Sequence, residues 1–144
     1  MQLLIVICVV ATVSVIAIPK YSAFVDKSKI SEAFNLAGAS KRKLSEFYIL
    51  NSRFPITAGE ADTMKTATLS PPKFVSRMEV EPGFKGHEVA IKVYLKEGVV
   101  ENLTGEEQFI YISGDSTADS DTAVAWSCGF SGIDPDLMPD SCQG

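Results

Sequence analysis

The chain has 144 residues and a formal net charge of −5, from 13 Lys and Arg against 18 Asp and Glu. That length supports one core of ordinary domain size and leaves little for a second. The acidic excess argues against general binding to phosphate backbones. It is unevenly spread: the first 50 residues hold six basic and three acidic side chains, and the other 94 hold seven basic and fifteen acidic.

Residues 1–18 carry no charge, and the first charged residue is Lys20, directly after Pro19. As a helix this run would be about 27 Å long, close to the hydrocarbon thickness of a bilayer. A cleaved signal peptide would have a basic start, a shorter apolar core and small residues before the cut. Here the start is not basic and Val13, Val15, Ile16 and Ile18 are bulky. The segment therefore reads as an uncleaved helix, with Cys8 inside it. Residues 1–22 are assigned to this membrane-spanning half, and 23–144 to a globular head.

The helical pattern continues into the head. Ile30, Ala33, Phe34, Ala37, Leu44 and Tyr48 recur at spacings of three, four and seven, and Phe47 widens that face. Lys29, Glu32, Lys41, Arg42 and Glu46 occupy the other sides. The turn-like Asn51-Ser52-Arg53-Phe54-Pro55 predicts a stop near Asn51. A helix from start to stop is about 75 Å long. No head of this size can cover it, so one half must project into lipid or against other subunits. Pro19 removes one helical hydrogen bond and predicts a kink. Thr12 and Ser14 can bond back to the backbone, so local melting between Ser14 and Pro19 is a further expectation. Gly38 is either a second weak point or a place where the head packs closely.

Residues 56–72 are rich in Thr, Ala, Ser, Gly and Pro and read as a connecting loop. Strands are predicted at 74–80, 88–95, 108–113 and 122–127. The second is the clearest, with Val89, Ile91, Val93 and Leu95 alternating with Ala90, Lys92 and Tyr94. Phe109-Ile110-Tyr111-Ile112 reads as buried on both faces. Short links at Glu81-Pro82-Gly83, Lys96-Glu97-Gly98 and Gly114-Asp115 favour an antiparallel sheet of about four strands. The fold class is thus α+β, with one sheet face on the amphipathic half of the long helix. Residues 128–142 read as a loop closed by a Cys128–Cys142 disulfide, a structural staple in an oxidising compartment.

Little in the sequence supports catalysis, and no cofactor is expected. His87 is the single histidine and reads as a solvated loop residue. No nucleophile motif and no phosphate-binding glycine pattern is present. Asp115, Asp119 and Asp121 are oxygen-rich enough to be weak calcium candidates, but they lack EF-hand spacing and read first as a solvated loop. Asn102-Leu103-Thr104 fits a glycosylation sequon. Lys41-Arg42-Lys43 is spread by a helix over different sides and reads as a solvated or inter-subunit surface.

Leu3-Leu4-Ile5-Val6-Ile7 followed by Ala17-Ile18-Pro19-Lys20-Tyr21 resembles the N-terminal helix of type IV pilins. Ser31-Glu32-Ala33-Phe34-Asn35-Leu36-Ala37, Glu46-Phe47-Tyr48 and Phe54-Pro55 resemble its second half and exit. The C-terminal cysteine pair is similar to the disulfide-bounded loop of many pilins. The resemblance implies a structural subunit that polymerises through its helix into an extracellular filament for adhesion and motility. Its partners would be further copies of itself, the inner membrane before assembly, and the pilus assembly machinery. Gln2, Leu3, Leu4, Ile7, Val10 and Ile18 would pack between subunits. Two features depart from the family pattern. Gln2 stands where pilins normally carry a glutamate, and Met1 stands inside a motif that usually begins about three residues earlier with a methylated phenylalanine. A type II secretion pseudopilin and a minor tip or competence pilin are the alternatives. The cysteine pair counts against the first, and Gln2 favours the second.

Overall fold

A computed structural model describes residues 2–66, 72–101, 105–116 and 124–142, with side chains at all of these except 2–5, 8–20, 84 and 141. One helix, α1, runs over Gln2–Asn51, unbroken through Ser14 and Pro19. It ends where the sequence predicts, and the cap shows why. Ser52 turns left-handed at φ 53 and its N–H donates to the Tyr48 carbonyl at 2.7 Å. Asn51 Nδ2 donates to the Phe47 carbonyl at 2.9 Å, so a second carbonyl of the last turn has a partner.

A short helix follows, α2 at Ala58–Met64, where the sequence reading expected only loop. Its low apolar content hid it, but Thr57 to Glu60 is a helix-start signature. Thr57 Oγ1 accepts from the Glu60 N–H at 3.2 Å, and the Glu60 carboxylate accepts from the Ile56 N–H at 3.0 Å. The rest of that stretch, 67–71, lies outside the described residues.

Four strands, β1 at Val75–Pro82, β2 at Glu88–Leu95, β3 at Phe109–Asp115 and β4 at Ala125–Ser131, pair antiparallel in the order β1-β2-β3-β4. The fold is α+β, a long helix on a four-stranded meander. β2 matches its predicted range. β4 differs: it extends to Ser131, past Cys128 and Gly129, where a loop was expected. Two observations account for the extension. Tyr111 covers Gly129 across the ladder, lying where a Cβ on that glycine would sit 2.4 Å from the ring. Trp126 covers Gly114 in the same way. Two 3₁₀ turns, Pro135–Leu137 and Asp140–Cys142, complete the tail that the sequence reading left as loop.

The inner sheet face carries Val80, Val89, Ile91, Val93, Leu95, Ile110 and Ile112, all buried. It meets Ile30, Ala33, Ala37 and Leu44 of α1, with Phe34 and Tyr48 packed at the margin. β3 is buried on that face alone, because Tyr111 points outward and is exposed. Gly38 has open space where a side chain would begin, so the head does not press on it.

Candidate functional site

The feature that sets this chain apart is the reach of α1 beyond the head. Among the described residues full burial on the helix begins at Ile30, while Tyr21 and Phe24 are both 71% exposed. Polar pins fix where the head grips. Lys29 Nζ is shared between Asp26 Oδ1 at 2.6 Å and the Val99 carbonyl at 2.7 Å. Glu32 Oε1 accepts from the Phe74 N–H at 3.2 Å, holding the entry to β1. Ser40, fully buried, bonds Thr66 Oγ1 at 3.1 Å. These contacts lie between Asp26 and Ser40 on the helix.

At the upper end, Phe54 is fully buried between Tyr48, 4.9 Å away centroid to centroid, and Trp126, 5.9 Å away. The Lys41 ammonium lies over the far Trp126 ring at 5.0 Å. The Phe54 N–H donates to the Gly86 carbonyl at 2.8 Å, so the helix exit is tied to the β1–β2 turn. Arg53 forks onto Glu60 at 2.9 and 3.1 Å. That fork, and then the Ile56 N–H, hold the Glu60 carboxyl at about 2, well below the usual carboxylate range. Beyond these anchors Ile49 and Leu50 stand 77% and 83% exposed.

The predicted inter-subunit residues Gln2, Leu3, Leu4, Val10 and Ile18 all lie on the helical backbone of α1, as do Ser14 and Pro19, with their side chains outside the described residues. Ile7 is exposed. Among the described residues no helix is long and apolar enough to cross a membrane. Of the basic triplet, Lys43 Nζ donates to the Lys65 carbonyl at 2.9 Å and Lys41 covers Trp126, so Arg42 is the one left exposed. The expected surface is thus narrower than the triplet. The sequence reading missed Tyr21, Phe24, Ile49 and Leu50. Their apolar character at helical spacing was visible, but their exposure depends on where the head ends.

Asp115 closes β3, whereas Asp119 and Asp121, like the sequon at 102–104, lie outside the described residues. Among the described residues no His, Cys, Asp and Glu group could hold a metal. His87 is exposed, and its carbonyl accepts from Ser116 N–H at 2.9 Å and Oγ at 3.0 Å. Cys128 and Cys142 form a disulfide, joining β4 to the last turn. On the outer sheet face Arg77 stacks on Tyr94 at 3.6 Å and donates to Glu79 and Glu107. Lys92 donates to Glu81. These paired charges raise both cations' pKa values, chiefly through the hydrogen bonds with Glu107 and Glu81 respectively.

Comparison with known proteins places this geometry. Residues 27–143 match the family model for pilin, a bacterial filament protein. A fimbrial protein of Eikenella corrodens, EcpC, is 30% identical over 99% of this chain and 86% of its own length. A type IV major pilin protein of Neisseria gonorrhoeae is 25% identical over 99% of this chain and 82% of its own. A fimbrial protein of Neisseria meningitidis is 24% identical over 89% of this chain and 69% of its own.

Proposed function

The chain belongs to the bacterial pilin family, and from that premise we propose that it is the structural subunit of a type IV pilus. It polymerises through the lower half of α1 into an extracellular filament that serves adhesion and motility. Before assembly the uncharged run 1–18 is held in the inner membrane, from which the assembly machinery draws it. The chain acts by packing and not by catalysis.

One observation carries this reading. Among the described residues full burial of α1 starts at Ile30, and below it the large apolar side chains Val6, Ile7, Tyr21 and Phe24 are exposed. Such a surface is costly in water and needs lipid or other helices around it. The domain division follows the same line, with 1–22 as the filament-core half and 23–144 as the head. Leu3, Leu4, Ile7, Val10 and Ile18 then pack against neighbouring helices. Ser14 and Pro19 mark where the helix yields when it enters the filament.

Gln2 favours a second reading, a minor pilin at the filament tip. A carboxylate in the membrane rewards docking against a neighbour's amine. Glutamine offers hydrogen bonds but no charge, which suits a subunit with no neighbour ahead of it. Electron cryomicroscopy of appendages sheared from the source cells, with mass spectrometry of the same preparation, separates the two. A homopolymer of this chain with helices at its centre supports the major subunit. Filaments built of another pilin, with this chain in traces, replace that reading with the minor one.

A further inference from the structure

The outer face of the sheet, turned away from α1, carries three aromatic rings in a row. Tyr94 and Phe109 lie 5.2 Å apart centroid to centroid, and Phe109 and Tyr111 lie 6.3 Å apart. The first two have their own cover. Arg77 stacks on Tyr94, which is only 8% exposed, and Lys92 stands 6.0 Å from the half-buried Phe109. Tyr111 is the open one, at 36% exposure. Its ring is laid sideways over β4 and rests on Gly129, so close that a Cβ there would lie 2.4 Å from Cζ and Oη and 2.8 Å from Cε1. One side of the ring is thus seated on glycine backbone, and the other faces solvent.

Polar groups surround this platform. Two residues along both strands, about 7 Å away, the Ser113 and Ser127 hydroxyls pair at 2.7 Å on the surface. Two residues the other way along β4, Ser131 Oγ donates to Glu106 Oε2 at 3.4 Å. Opposite Tyr111 on β2, Lys92 is held by Glu81. The cations of this face are matched, Lys92 by Glu81 and Arg77 by Glu79 and Glu107. An ionic ligand would have to break those pairs. A wholly apolar partner would strip water from the hydroxyls and carboxylates and put nothing in its place. A neutral sugar meets both demands. One face of a hexopyranose carries C–H groups that settle on the electron-rich face of an aromatic ring. Its hydroxyls radiate at the edge, where donors and acceptors stand.

We propose that Tyr111, seated on Gly129 and flanked by the Ser113–Ser127 pair, is a binding site for a neutral hexose of a glycan chain. The inference names a ligand class for the adhesive role read above, and rests on the filament only for repetition of the site. The sheet face lies opposite α1, so with helices at the filament centre it is turned outward. One shallow site holds a single sugar weakly. Repeated along a filament, it holds a glycan-covered surface about a hundredfold more tightly or better.

The test is saturation-transfer NMR of methyl β-galactoside and methyl β-glucoside with the full-length chain in detergent micelles. Transfer is expected chiefly to the C–H protons of one sugar face. Tyr111→Ala is expected to weaken binding at least about tenfold, and Tyr111→Phe to preserve it. Gly129→Ala keeps the ring but unseats it, and should weaken binding severalfold with the denaturation midpoint of the head little changed. Ser113→Ala combined with Ser127→Ala should also weaken it severalfold. No transfer to either sugar, or undiminished transfer from folded Tyr111→Ala and Gly129→Ala chains, overturns the site. Tighter binding of galacturonate or galactosamine than of the neutral galactoside overturns the neutral assignment. Sheared filaments containing this chain should be retained on beads bearing the hexose that binds, and be released by the free methyl glycoside. Filaments built without this chain would overturn the subunit reading alone, because the result in micelles stands without them.

Discussion

Glu60 shows how much of the helix exit depends on one carboxylate. It accepts from Arg53 twice, and from the Ile56 N–H, at the start of α2. Its folded pKa of about 2 lies below that of an unfolded glutamate, near 4.3. A depressed carboxyl stabilises the fold fully above the unfolded value, and that stabilisation is lost as pH falls through the folded value. Thermal melts of the native chain and Glu60→Gln should therefore differ at pH 7. The gap should narrow below about pH 4 and be nearly closed at pH 2. A gap that stays constant over that range would assign Glu60 a packing role only. Two glycines give a second residue-scale expectation. A Cβ at Gly83 would lie 2.6 Å from the Glu88 carbonyl oxygen and 2.7 Å from its carbon. That is backbone inside a turn, closed by Gly83 N–H donating to the same oxygen. At Gly129 the obstacle is the outer end of the exposed Tyr111 ring, which can swing away. Gly83→Ala should cost about 1–3 kcal/mol by chemical denaturation, and Gly129→Ala under about 1 kcal/mol.

At the scale of elements the tail tests whether β4 needs its staple. Cys128 sits on the inner face of β4, and Cys142 is buried beneath the last turn. Closing that loop of 15 residues should contribute about 3 kcal/mol, so Cys128→Ser with Cys142→Ser should lower stability by about that amount. Amide hydrogen exchange should show the loss first in β4 and the turns after it. Sequence legibility differs between elements for physical reasons. β2 was readable because alternation reports burial on one face, and Val89, Ile91, Val93 and Leu95 fall on every second position, with Tyr94 buried as well. The inner half of α1 was readable on the same principle at helical period. The Phe109–Ile112 run was not, since four apolar residues in a row carry no period, and only the pairing shows that Tyr111 faces outward over Gly129. β4 was cut short because Gly129 looks like a strand breaker until its cross-strand partner is known. Of the exposed apolar positions on α1, the residue types were visible and the exposure was not. Ile49 and Leu50 extend an apolar helix pattern that elsewhere is core, and only the position of Phe54 shows that the head turns away below them.

For the whole molecule the decisive quantity is charge on the outside of the filament. The cations of the stem are largely spent within their own subunit: Lys29 on Asp26 and Val99, Lys41 on Trp126, Lys43 on Lys65. The head's cations Arg53, Arg77 and Lys92 are taken up by Glu60, Glu107 and Glu81. Exposed Glu88, Glu97, Glu101, Asp136 and Asp140 outnumber the exposed head cations Lys73, Lys85 and Lys96 and leave an acidic outer surface. In the proposed filament, with helices at the centre and heads outside, adjacent filaments present like charge to each other. They should stay dispersed at pH 7 in low salt, where repulsion reaches furthest. They should bundle as pH falls towards about 4.8, where the chain's net charge vanishes. Salt at about 0.5 M, which shortens the screening length to roughly 4 Å, should bring on bundling at pH 7 without any change in protonation. Light scattering and negative-stain images across the two series would show both. Bundles that form at pH 7 in low salt and dissolve as salt is added would mean the reverse. Exposed head cations such as Lys73, Lys85 and Lys96 would then be reaching across to the acidic surface of another filament, and attraction between unlike patches, more than net charge, would govern how filaments associate.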